Sequence, residues 1–115
     1  MAIQMKEIRD SEWSAFCENF VRENGDSVVT VSQTDRNGIT REMAREVPLR
    51  GMRLEKDPCN DIIILELGDL ETQEIRVIEP IHVQIKQAHD GRKLLHLEAE
   101  NGITLVHFHS GRMAL

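Results

Sequence analysis

Between Ser11 and Asn24 the apolar residues Trp13, Phe16, Cys17, Phe20 and Val21 recur at the i, i+3, i+4, i+7, i+8 spacing of one helical face. Ser11 is placed to cap the first turn, Glu12 suits the positive end of the helix dipole, and Gly25 is the expected C′ stop. Three of the chain's four aromatic residues lie on that face, as expected of a plug that seals a sheet. After Gly25 the period falls from 3.6 to 2. Ser27 to Thr34 (SVVTVSQT) is β-branched and ends at Asp35-Arg36-Asn37-Gly38, a turn that returns the chain into Ile39 to Glu46. Val47 to Gly51 should interrupt the ladder, because Pro48 has no N–H to donate and belongs at an edge or bend. Met52 to Lys56 follows as a short strand, then a polar turn over Asp57 to Asn60.

Ile62 to Leu67 (IIILEL) is apolar at nearly every position, the pattern of a central strand covered on both faces. Gly68-Asp69 ends it. Thr72 to Ile78 and Ile81 to Gln87 alternate on either side of Glu79-Pro80, and two further strands surround Asn101-Gly102.

Turn chemistry fixes the register of the last hairpins. A two-residue Asn101-Gly102 loop pairs Leu97 with Val106, His96 with His107, and Leu95 with Phe108. Keeping core against core then demands an odd loop, which a three-residue turn at His89-Asp90-Gly91 supplies, setting Ile85 against Leu95, Val83 against Leu97, Gln84 against His96 and His82 against Glu98. Leu95, Leu97, Val106 and Phe108 therefore face inward. The outward face carries His96, His107 and, one diagonal away, His109, with Leu94, Glu98 and Leu105. Leu94, Leu105 and one apolar row of the central strand create a second surface needing cover, which a sheet curling towards a barrel or a two-fold dimer would supply.

These elements define one α+β domain over residues 1–115: an N-terminal helix packed on a curved, largely antiparallel sheet of seven or eight strands. Hydrophobic residues at 40% and charged residues at 30% fit a globular chain long enough to fold without metal or disulfide support. No apolar run is long enough to cross a membrane. MAIQMKEIRD has no basic start, apolar centre or cleavage site of a secretory signal, so the cytoplasm is the expected compartment. Cys17 belongs to the core face and Cys59 to a loop, without zinc-ligand spacing. A net charge of −6, with fourteen basic residues scattered among twenty acids, argues against an extended nucleic-acid surface.

Candidate chemistry concentrates on the histidines. His107-x-His109 on one strand, with His96 on its neighbour and Glu98 on the same face, offers three nitrogens and a carboxylate to a divalent metal. The alternative is half-exposed strand residues with hydrogen-bonding tips. Neighbouring imidazoles lower one another's proton affinity while Glu98 and Glu100 raise it, and charging all five histidines would take the balance from −6 to −1. No nucleophile elbow, phosphate loop, dinucleotide glycine pattern or metalloprotease helix motif is present. Glu66 and Asp69 could flank a cleft, although an Asp in a turn ordinarily caps backbone. No catalytic residue is assigned. A non-enzymatic accessory or interaction domain, forming a homodimer, is the first expectation, and a His-based metal or small-ligand protein the second.

Across VPLRGM (Val47 to Met52), IIILELGD (Ile62 to Asp69) and GITLVHF (Gly102 to Phe108), preceded by the SEWSAFCENF helix, the chain resembles a family of short bacterial proteins classed as a domain of unknown function. The resemblance spans most of the chain in the same order and implies no activity, cofactor or partner. In that family's pattern basic residues other than histidine often stand at the positions of His107 and His109, which weakens a metal role special to this sequence.

Overall fold

The computed structural model describes residues 4–25, 27–56, 59–87 and 92–109. Its elements run β1 (Gln4–Ile8), a 3-10 turn (Asp10–Glu12), α1 (Trp13–Asn24), β2 (Val28–Asp35), β3 (Thr40–Lys56), β4 (Asp61–Leu67), β5 (Gln73–Ile78), β6 (Pro80–Gln87), β7 (Lys93–Ala99) and β8 (Gly102–Phe108). All eight strands join one antiparallel sheet in the order β1-β6-β7-β8-β2-β3-β4-β5. The expected strand number is met through two compensating differences. β1 is an additional strand, and the two segments expected on either side of Val47 to Gly51 are one strand.

That strand, β3, organises the architecture. Straight, its 17 residues would span roughly 53 Å, more than the molecule's greatest extent of 45 Å. It bends instead and changes partner at the bend. Its first half pairs with β2 as far as Pro48, and its second half pairs with β4 from Leu49 onward. Glu46 takes a positive φ of 49° beside register shifts in the β2 ladder, the signature of bulges that turn a strand. Pro48 sits where the ladder changes hands, so its missing N–H interrupts neither half, and its carbonyl accepts from Gly68 N–H at 3.0 Å.

The bend folds β3–β4–β5 over the larger layer, bringing β4 against β6 and β5 against β7. The sheet does not close: β1 and β5 are its two ends. Curling towards a barrel, one of the two expected ways to cover the second surface, is therefore corrected to an open, two-layered sheet. Between the layers lie Val29, Val31, Leu49, Ile63, Leu65, Leu67, Val83, Leu95, Leu97 and Val106, each with no exposed surface.

The helix closes one end of this sandwich, as its aromatic face predicts. Trp13 is buried and donates Nε1–H to the Ile8 carbonyl at 2.9 Å. Phe20 stacks on Phe16 at 5.1 Å between ring centres and meets Phe108 of β8 edge-on at 5.3 Å. Cys17 is buried beside them, and burial pushes its thiol up to about 11. Asn24, buried at the last turn, donates to the Phe20 carbonyl and accepts from Lys93 Nζ at 3.0 Å, tying the helix end to β7.

Two cap assignments change. Ser11 lies inside the 3-10 turn, and no side-chain cap precedes Trp13. The first donors are instead taken by backbone carbonyls, Glu12 N–H by Arg9 and Trp13 N–H by Asp10. Gly25 ends the helix in an extended conformation (φ −57°, ψ 142°) rather than a left-handed one. The chain leaves directly towards β2, with Ser27 N–H on the Asn24 carbonyl at 3.1 Å, and a side chain at Gly25 would come 2.8 Å from the Val21 carbonyl oxygen.

Candidate functional site

The outward face of the larger layer is assembled by the two C-terminal hairpins and β2. Between β6 and β7 the pairs are the expected ones: His82 with Glu98, Val83 with Leu97, Gln84 with His96 and Ile85 with Leu95. The turn expected at His89 to Gly91 lies outside the described residues. Between β7 and β8 the parity is right and the register is not. Ala99 pairs with Gly102, so the loop is Glu100-Asn101, and His96 stands opposite Leu105 while His107 stands opposite Leu94.

The cause is Gly102, which serves as the first strand residue rather than the second turn residue. It pairs with Asp35 of β2 at a φ of 152°, and a side chain there would collide with the Thr34 carbonyl. Close approach of a neighbouring strand, not turn geometry, claims this glycine. A shift of two residues leaves every side chain on its face, so Leu95, Leu97, Val106 and Phe108 are buried as expected.

The shift does separate the three proposed metal ligands. His96 and His107 share the outward face diagonally rather than opposite each other, and His109 lies beyond the end of β8. His109 is already engaged: its Nε2 is 2.7 Å from Thr30 Oγ1, and its backbone N–H donates to the Val28 carbonyl. Among the described residues no group of three or more His, Cys, Asp or Glu side chains is arranged to hold a metal ion.

The proton chemistry divides between two histidines that the sequence alone leaves balanced. Glu7 of β1, paired opposite Gln84, accepts from Gln84 Nε2 at 2.9 Å and meets His82 Nδ1 at 2.8 Å. These bonds to Gln84 and His82 lower the Glu7 pKa, and the Glu7 partner raises that of His82. His96, half-buried between Gln84 and Leu105, moves the other way. Burial and then the charge of Lys86 lower its pKa, against a smaller opposing pull from Glu98.

A groove of about 650 Å³ runs along this face near the helix end, lined by Thr30, Glu42, Arg45, Glu46, Lys86, Arg92, Lys93, Leu94, His107, Phe108 and His109. Four lining residues are Lys or Arg and two are Glu, in a chain whose net charge is −6. Arg45 is paired with Glu42 at 2.8 Å. Lys86 stands across the ladder from Leu94, which stands in turn opposite His107 and, one strand further, Thr30. Leu94 is half-exposed. The sequence holds these cations at scattered positions, so only the sheet order, with β8 between β7 and β2, gathers them. A smaller cavity of about 240 Å³ lies at the other end of the sandwich, beside Gln33, Arg41, Arg76 and Thr104, where Gln33 Nε2 donates to the buried Thr104 hydroxyl at 3.1 Å.

The other acids considered for a cleft have structural partners. Glu66 binds Arg53, and Asp69 binds Arg50 at 3.2 Å. Cys59 is exposed. No helix is long and apolar enough to cross a membrane among the described residues. Comparisons with protein-family models, with curated proteins and with solved structures find no match.

Proposed function

We propose that the chain is a non-enzymatic, cytoplasmic protein-interaction domain whose outward groove receives an acidic segment carrying an apolar side chain. One observation carries the reading: the half-exposed Leu94 lies in a groove whose lining holds Lys86, Arg92, Lys93 and Arg45 against Glu42 and Glu46, on a chain whose net charge is −6. An apolar side chain gains from burial against Leu94, and flanking carboxylates gain from the cations around it. Charges at such a rim steer approach and select the partner more than they add affinity. This pairing of a leucine-sized contact with acidic flanks excludes basic segments and disfavours nucleic acid, whose recognition needs a longer basic track and stacking platforms.

The test is titration of the isotopically labelled protein with short peptides in which Leu is flanked by Asp and Glu. Resonances of Leu94, His107 and Thr30 should shift, a Lys-flanked Leu peptide should leave them in place, and added salt should weaken the effect. Acidic peptides that leave all three unmoved would end the proposal.

A further inference from the structure

The chain itself carries a segment of the kind the groove fits. Between β4 and β5 the sequence Gly68-Asp69-Leu70-Glu71-Thr72 forms a tip on which Leu70 is 97% exposed, the most exposed of the large hydrophobic residues described. An acid stands on either side of it. The tip is also held in shape. Gly68 adopts a φ of 120° and donates to the Pro48 carbonyl, Arg50 Nε donates to the Gly68 carbonyl at 2.9 Å, and Arg50 Nη2 donates to Asp69 at 3.2 Å. A leucine presented by an ordered turn loses little freedom when it docks, so more of its burial energy appears as affinity.

We infer that the occupant of the groove is the Asp69-Leu70-Glu71 tip of a second copy of this chain. This rests on the reading of the groove given above. Leu70 of one copy lies against Leu94 of the other, with Glu71 directed to Lys86 while Asp69 stays on Arg50 and keeps the tip in shape. Tip and groove are different surfaces, so two copies that exchange tips close into a two-fold dimer, and a one-way, heterologous contact grows head to tail.

Sedimentation velocity over a concentration series, with the wild type and the variants Leu70→Asp and Lys86→Glu, tests the inference. Both positions are surface sites, and circular dichroism confirms that each variant is folded. The wild type should associate, each variant should associate at least about tenfold more weakly, and an equimolar mixture of the two should associate more strongly than either variant alone. In that mixture the intact tip of Lys86→Glu meets the intact groove of Leu70→Asp. A wild type that remains monomeric at every concentration, a Leu70→Asp variant that associates as the wild type does, or a mixture no stronger than its components would each overturn the inference. Acidic peptides that bind the groove while Leu70→Asp leaves association unchanged would remove the second copy as occupant and leave the groove reading standing.

Discussion

The two outward faces of the molecule solve the same problem differently. On the smaller layer Ile64 points away from the core, yet it has no exposed surface. Its cross-strand neighbours are Arg53 and Arg76. Arg53 binds Glu55, Glu66 and Glu74 at once, and Arg76 also reaches Glu74. The charged heads converge, so the aliphatic stems are held across the isoleucine. Gly51, paired opposite Glu66, leaves the space into which the Glu66 carboxylate leans on its way to Arg53. On the larger layer Leu94 and Leu105 occupy comparable outward positions and remain half-exposed. There Glu7 is drawn to Gln84 and His82, and Arg45 to Glu42, so these charges pair beside the leucines. An outward apolar residue becomes an interface candidate where the surrounding charges pair beside it rather than over it.

The largest expected effect that sharpens this contrast is that of Ile64→Ala, which deletes a fully buried side chain and should cost about 2–5 kcal/mol in urea denaturation. Leu94→Ala, already half in water, should cost less than about 1 kcal/mol on the same assay. Equal losses would dissolve the distinction between the faces. Next comes Arg53→Ala, which should lower the denaturation midpoint by less than Ile64→Ala does. Part of its cost is lost cover and part is the repulsion left among Glu55, Glu66 and Glu74, so Arg53→Met should recover the first part and added salt should reduce the second. A variant indifferent to both would show that the network covers nothing.

The smallest effect concerns pH. His82 has a raised pKa when folded, so its contribution is present below its ordinary value and is lost as pH rises through the raised one. Glu7 has a lowered pKa, so its contribution is present above its ordinary value and is lost as pH falls through the lowered one. Between those limits the pair holds β1 on β6. Hydrogen-exchange protection of β1 amides, corrected for intrinsic rates, should therefore be greater near pH 5.5 than near pH 8.5, and His82→Gln should abolish the difference. His96 acts in the opposite sense: its pKa is lowered by burial, so the stability tied to its neutral form is lost as pH falls through the lowered value.

Much of the fold is legible in the residues. The helix shows as a period of 3.6, β4 as a run apolar at nearly every position, and the inward set Leu95, Leu97, Val106 and Phe108 as an alternation locked between two turns. β1 is hidden because Ile8 is its one buried residue among those whose side chains are described. The continuity of β3 is hidden because Pro48 reads as a break, and only the partner exchange shows why it is harmless. The register of β8 depends on β2, a strand distant in sequence, so turn rules acting on Asn101-Gly102 cannot supply it. The groove is the least legible feature of all. Arg45, Lys86, Arg92 and His107 come from three separate strands and a loop, and charge patterning along the chain carries no sign of their meeting.

The shared strand β3 has a mechanical consequence. A two-layered sheet joined only by loops could shed one layer and keep the other, but here the same backbone is hydrogen-bonded into both, and cutting or straightening it near Pro48 would disturb the ladders on either side together. The layers should therefore melt in a single cooperative transition, without a half-folded species that exposes Ile63 and Leu97 to neighbouring chains.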